Sequence, residues 1–162
     1  ENVAYPLREH YQLSEAQIRD RVRDKLALVG LPGTEDQRPA ELSGGMRKRV
    51  AIARAIAADP EVLLYDEPTT GLDPINTRRI NELIRSIQRE LSVTSLVVTH
   101  DMQSAFMVAD RMALLSDRRI VATLPRDEFR HSRTPAIHDF VSAMSDEVHG
   151  RESPPPSPGV PR

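Results

Sequence analysis

The chain has 162 residues, with 22 Lys and Arg against 24 Asp and Glu, a formal net charge of −2, no Cys and 39% hydrophobic residues. That charge balance lacks the basic excess of a dedicated nucleic-acid surface, and the absence of Cys leaves the redox compartment open while agreeing with a cytoplasmic protein. The apolar runs are only a few residues long, far below the ~20 needed to cross a bilayer, and no signal peptide is visible, so membrane association would come through a partner.

In chain order, Ser14 with Gln17 three residues on predicts a capping box, and Leu13 with Ile18 a hydrophobic staple. Ile18, Val22, Leu26 and Val29 then recur at helical spacing until Gly30 and Pro32, which predicts a helix over 15–29. A loop containing Pro and Gly leads to Ser43, the expected cap of a second helix from Gly44 to about Ala58, stopped by Asp59-Pro60. From Glu61 short apolar runs alternate with helical patterns, as in parallel α/β packing. Val62 to Tyr65 is uniformly apolar, which predicts a central strand buried on both faces. Asp73 caps and Pro74 opens a helix whose apolar face is Ile80, Leu83, Ile84, Ile87 and Leu91. Ser95 to Thr99 reads as the next buried strand, delivering His100 at the C-terminal end where open α/β sheets place ligands. Asp101 to Ala109 should be a short helix, and Arg111–Ser116 with Ile120–Leu124 a hairpin turning at Asp117-Arg118. A last amphipathic helix is expected from Pro135 to about Val148, with Ile137, Phe140, Val141 and Met144 inward. The segment beyond it holds five of the 13 Pro among Ser and Gly, a composition that predicts disorder with local polyproline character.

Four short motifs carry the chemistry. Leu42-Ser43-Gly44-Gly45-Met46 opens a helix, and Val62-Leu63-Leu64-Tyr65 runs into Asp66-Glu67-Pro68. Gly71-Leu72-Asp73-Pro74 and Thr99-His100 follow. An apolar strand ending in two carboxylates can supply a magnesium ligand, Asp66, and a water-activating base, Glu67, which point to different sides. A Gly-Gly turn at a helix start offers unpaired N–H groups to an anion, and glycine lets the backbone approach it closely. The loop that would wrap the phosphates of a nucleotide, Gly-x-x-x-x-Gly-Lys-Ser/Thr, occurs nowhere in the chain.

In this order and spacing the four motifs resemble the nucleotide-binding domain of ABC (ATP-binding cassette) proteins, over residues 1 to about 145. The resemblance implies that Leu42–Gly45 is the signature motif, Val62–Glu67 the Walker B strand with its following glutamate, Gly71–Pro74 the D-loop and His100 the switch histidine. The one departure is Met46, where most of the family carries Gln. The implied fold is α/β, a partial P-loop NTPase-like ABC ATPase domain. It would comprise the helical subdomain over 1–58, the C-terminal part of the parallel sheet core over 59–148 and a disordered tail over 149–162. The implied cofactors are ATP and Mg²⁺, with Asp66 on the metal and Glu67 and His100 catalytic. Ser43, Gly44, Gly45 and Met46 would meet the ATP of a second copy across a two-fold dimer whose seam contains Asp73. The missing phosphate loop makes the chain, by this resemblance, a piece lacking its N-terminal third and inactive alone.

Asn2–His10 and Leu42–Arg49 further resemble the ATPase subunits of Mla-type phospholipid transporters and Mce-linked lipid importers. The function then expected is ATP hydrolysis at the cytoplasmic face of the inner membrane, powering an integral-membrane permease, with further lipid-transport subunits and no nucleic acid as partners. A soluble ABC-type ATPase of DNA repair or chromosome maintenance is the alternative from another class, and a non-hydrolysing scaffold is a third reading. The basic run Arg47-Lys48-Arg49 reads as a solvated helix face, and His10, His131, His138 and His149 as surface or packing residues.

Overall fold

The computed structural model describes residues 1–149, with side chains through residue 142. Most of the expected 149–162 tail therefore lies outside the described residues. The chain divides into two compact units, one over Glu1–Val108 and one from Ala109 onward. No break in packing falls at the 58/59 subdomain boundary, because helices before it and strands after it share one core.

The first unit opens with a short helix α1, Tyr5–His10, which carries Pro6 in its first turn and buries Leu7 completely. The sequence pattern did not reveal it, since six residues give too little periodicity to read. Helix α2, Glu15–Leu28, has both halves of the predicted capping box: Gln17 N donates to Ser14 Oγ at 3.3 Å and Ser14 N to Gln17 Oε1 at 2.9 Å. Its exit is Gly30 at φ +71°, a conformation that costs glycine little. After a 3-10 turn at Pro39–Glu41, Ser43 Oγ accepts from Met46 N at 3.2 Å and starts α3, Gly44–Ile56. This helix stops two residues short of Ala58, as the chain turns through Asp59 at φ +47° before Pro60.

Strand β1, Val62–Asp66, pairs in parallel with β2, Thr94–Val98, in the register Val62↔Thr94 to Asp66↔Val98. The crossover between them is α4, Pro74–Leu91, started by Asp73 Oδ1 accepting from Ile75 N and Asn76 N, both at 3.0 Å. Helix α5, Met102–Val108, follows β2. Leu7, Ile56, Ile80 and Ile87 are fully buried at the centre, with Ala53, Leu63 and Tyr65 around them. All five residues expected on the inner face of α4 reach this core, Leu83 and Leu91 only in part.

Burial on both sheet faces is not what the structure shows. Leu63 and Tyr65 point into the core, whereas Val62 is 54% and Leu64 73% exposed, as are Leu96 at 58% and Val98 at 55% on β2. Within the first unit, Ile52, Ala53 and Ile56 of α3 and Ile80, Ile84 and Ile87 of α4 share the core with Leu63 and Tyr65, and the opposite face is exposed. A uniformly apolar strand signals two covered faces but cannot say which segments cover them.

In the second unit, β3, Arg111–Ser116, and β4, Arg119–Pro125, form an antiparallel hairpin. Its two-residue turn is the predicted Asp117-Arg118, with both φ values positive, +48° and +61°, as a type I′ turn requires. A five-residue helix α6, Arg126–Arg130, packs on the hairpin and buries Phe129. Helix α7, Pro135–His149, buries Ile137 completely, but Phe140 is 37% exposed and Val141 half-buried, so its expected inward face is only partly realised. Met144 lies outside the described side chains.

The two sheet faces predict different mutational costs in this chain. Ile87→Ala, which empties a fully buried site, should lower the unfolding free energy by about 2–5 kcal/mol. Leu64→Ala on the open face should stay within about 0.5 kcal/mol. Equilibrium urea unfolding of the two variants checks this, and equal losses would contradict the one-sided burial.

Candidate active site

Two chain turns build the site at the C-terminal ends of β1 and β2. Glu67 takes φ +45°, a conformation costing a non-glycine residue about 1–3 kcal/mol unless its surroundings over-determine it. They do. Glu67 N donates to Val98 O at 2.9 Å, continuing the β1–β2 ladder one step past the strands, and Thr70 N closes a turn on Glu67 O at 3.3 Å. Lys48 of α3 adds a third hold, donating from Nζ to Glu67 O at 3.3 Å.

That backbone geometry carries the Glu67 carboxylate across to the end of β2. Its Oε1 accepts from His100 N at 3.1 Å and lies 2.8 Å from His100 Nδ1, while Oε2 accepts from Thr70 Oγ1 at 3.0 Å. The structure therefore brings together the two residues for which the sequence predicts catalysis, 33 positions apart. The His100 hydrogen bond is the main cause that holds the Glu67 carboxyl below the ordinary carboxylate range, against a smaller desolvation effect and with further help from Thr70. The same hydrogen bond raises His100 above the ordinary imidazole range.

Asp66 stands apart from this pair. Its carboxylate is exposed at the end of β1 and makes no hydrogen bond or ion pair among the described residues. No group of three or more His, Cys, Asp and Glu among the described residues could hold a metal ion by itself. One free carboxylate nonetheless fits Mg²⁺, which is commonly held by one or two carboxylates with water and substrate phosphate filling the other positions.

The signature residues occupy the start of α3. Ser43 and Gly44 are exposed, while Gly45 is buried against α4, where an added Cβ would come 3.2 Å from Asn76 Oδ1. Asn76 in turn donates from Nδ2 to Asp73 Oδ2, so Gly45 and Asp73 share one neighbour. Met46 has neither of its groups free for a phosphate: its N–H is taken by Ser43 Oγ and its side chain packs against the core. Between the start of α3 and the turn after β1 lies an open groove of about 290 Å³, lined by Gly44, Arg47, Lys48, Thr70 and Leu72 among others.

The basic run is only partly the solvated face expected: Arg47 is exposed and Lys48 and Arg49 are half-buried, but all three guanidinium or ammonium groups have backbone partners. Arg47 donates to Leu42 O at 2.8 Å, Lys48 to Glu67 O, and Arg49 to Gly30 O at 3.2 Å, each satisfying a loop carbonyl. Thr70 and Asn76, next to the site, are missed by sequence reasoning, because isolated polar residues in helix starts and turns carry no spacing signal, and Lys48 reads in sequence as part of a solvated face and not as a partner of Glu67. His10, His131 and His138 are exposed, as expected.

With the site in place, comparison with known proteins decides the family. A family model described as "ABC transporter" matches residues 2–70. The chain belongs to the ABC transporter ATP-binding family. It is 44% identical over 142 residues to the probable ribonucleotide transport ATP-binding protein mkl of Mycobacterium tuberculosis, covering 88% of this chain and 40% of that protein. It is 41% identical over 146 residues to the intermembrane phospholipid transport system ATP-binding protein MlaF of Haemophilus influenzae, covering 90% of this chain and 55% of that one. The chain thus spans about half the length of the curated relatives it matches. Among solved structures, cbiO1 from Clostridium perfringens, part of the ABC transporter complex cbiONQ, superposes with a TM-score of 0.73 at 30% identity over 93% of this chain and 59% of that one. A dimeric ATP-binding cassette in a post-hydrolysis state, bound to ADP and Pi, superposes with a TM-score of 0.66 at 33% identity over 76% of this chain and 54% of that one. The fold is that of an ABC ATPase domain, as the sequence predicts.

The shifts at the site fix the sign of a pH prediction. His100 gains its partner as a cation, so the contribution of the pair is present at low-neutral pH and fades as pH rises through the elevated His100 value. Glu67 gains its partner as an anion, so the same contribution fades as pH falls through the depressed Glu67 value. The His100 ring signals in an NMR titration should move with a midpoint above the ordinary imidazole range, and Glu67→Gln should bring that midpoint back. A midpoint unaffected by Glu67→Gln would contradict the pairing.

Proposed function

We propose that this chain carries the hydrolytic and signature part of an ATPase subunit that drives a membrane permease for phospholipid. The observation that carries the ATPase reading is the Glu67–His100 pair at 2.8 Å, with the free Asp66 carboxylate one residue away at the same strand end. Glu67, kept ionised by its donors, is the base that orients and deprotonates the attacking water. Its two oxygens already accept from His100 and Thr70, so water must take a lone pair that these donors leave free or displace one of them. His100, exposed beyond Glu67, is positioned to meet the terminal phosphate with a charge-assisted hydrogen bond. Asp66 would hold Mg²⁺, which supplies charge neutralisation on the phosphates.

Ser43 and Gly44 present the start of α3 to an anion, and the family resemblance assigns that anion to the ATP of a second copy. Asp73 would lie at the seam of that dimer. The permease partner and placement at the cytoplasmic face of the inner membrane rest on the relatives being named as transport subunits, which also favours transport over the DNA-repair alternative. No described helix is long and apolar enough to cross a membrane. Two relatives carry different cargo in their names, and phospholipid is favoured here by the likeness to MlaF together with the Asn2–His10 stretch.

The test is reconstitution of the full-length subunit with its permease in liposomes, reading ATP hydrolysis and movement of labelled phospholipid to acceptor vesicles. Glu67→Gln should lower hydrolysis about 10²–10⁴-fold and stop lipid movement while ATP binding persists. Hydrolysis surviving that change would remove Glu67 as the base. ATP-driven movement of a water-soluble solute without lipid would overturn the cargo alone.

A further inference from the structure

Behind the Glu67–His100 pair lies a polar set that hydrolysis does not use directly. Asn81 sits on the inner face of α4 beside Ile80 and Ile84 and is 2% exposed, and Ser104 on α5 is 3% exposed. Asn81 Nδ2 donates to Ser104 Oγ at 2.7 Å, and Ser104 Oγ donates to Asp101 Oδ2 at 2.5 Å. The other oxygen of Asp101 caps α5, accepting from Gln103 N at 3.0 Å and Ser104 N at 3.2 Å, while Asp101 N donates to Thr99 Oγ1 at 3.0 Å. The chain of bonds therefore runs from the interior of α4 to the residues on both sides of His100.

Such a set adds little to packing that an aliphatic side chain would not, because burying an amide and a hydroxyl costs free energy that their hydrogen bonds roughly offset. What it adds is a single geometry, since the one proton of Ser104 Oγ goes to Asp101 and leaves the oxygen to accept from Asn81. His100 needs that. Its side chain is 75% exposed and, among the described residues, is held by Glu67 alone, so its position follows from the backbone at 99–101.

We propose that Asn81 is a positioning residue for hydrolysis, which acts through Ser104 and Asp101 to fix the backbone carrying His100 and hence the reach of its imidazole to Glu67. At 2% exposure Asn81 would act through these partners and not by reaching the reacting groups itself. The proposal rests on the reading of Glu67 and His100 as the hydrolytic pair.

The experiment uses the full-length subunit in single-turnover ATP hydrolysis, which reads slow rates, together with ATP affinity and thermal unfolding. Asn81→Leu and Ser104→Ala are measured alone and on a His100→Ala background. Each single variant should slow hydrolysis about ten- to a hundredfold, the scale of a sub-ångström to 1 Å misplacement, with ATP affinity unchanged. Ser104→Thr, which keeps the hydroxyl, should recover most of the rate. On the His100→Ala background neither change should slow hydrolysis further. If Asn81→Leu does not fold, Ser104→Ala, the smaller change, carries the test. Undiminished losses on the His100→Ala background, or a folded Ser104→Ala at full rate, overturn the role of Asn81 while leaving the hydrolytic pair standing. His100→Ala at the wild-type rate would instead overturn the pair itself.

Discussion

The parallel register of β1 on β2 is the constraint on which the rest of the site depends. Asp66 pairs with Val98, and the next rung, Glu67 N to Val98 O, fixes the first residue beyond the strand. Slipping that pairing by one residue would turn every side chain to the opposite face, burying Leu64 in place of Leu63 and withdrawing the carboxylate from His100. The register is held from inside, by Leu63 and Tyr65 seated in the same core as Ile80, Ile84 and Ile87 of the crossover helix. Hydrophobic burial thus sets a distance between two polar groups that lie outside it. The unfavourable φ of Glu67 is sustained in the same way, by hydrogen bonds that exist only when the strands are in register.

Much of this was legible from residues alone where a local rule sufficed. The Ser14–Gln17 box, the Ser43 and Asp73 caps and the Asp117-Arg118 turn are short-range devices whose residue types name their geometry, and each stands where the pattern put it. Glu67 and His100 were identifiable as strand-end residues, but their contact was not, because it depends on a pairing between segments separated by an 18-residue helix. The bond from Lys48 to Glu67 O was hidden for the same reason, because it joins residues 19 positions apart that only the folded chain brings near. Asn81 did leave a trace, as a polar residue at a core position of α4, although periodicity alone treats it as a flaw in an apolar face.

The open face of the β1–β2 pair explains the largest difference between pattern and structure. Val62, Leu64, Leu96 and Val98 give the strands the composition of a doubly covered sheet, while the described residues cover one side only. An apolar strand composition signals two covered faces without naming what covers them. The Glu67–His100 pair nevertheless forms without that cover, since its geometry derives from the buried side. Pair geometry and sheet cover are therefore separable features of this sequence.

The central claim is that Glu67 and His100 act as one unit, and a double-mutant cycle in ATP hydrolysis by the full-length subunit tests it most directly. Residues that act as a unit are strongly non-additive, so the Glu67→Gln/His100→Ala double variant should hydrolyse ATP no more slowly than the slower of the two single variants. Losses that multiply in the double variant would show that the two residues work independently, and would contradict the account.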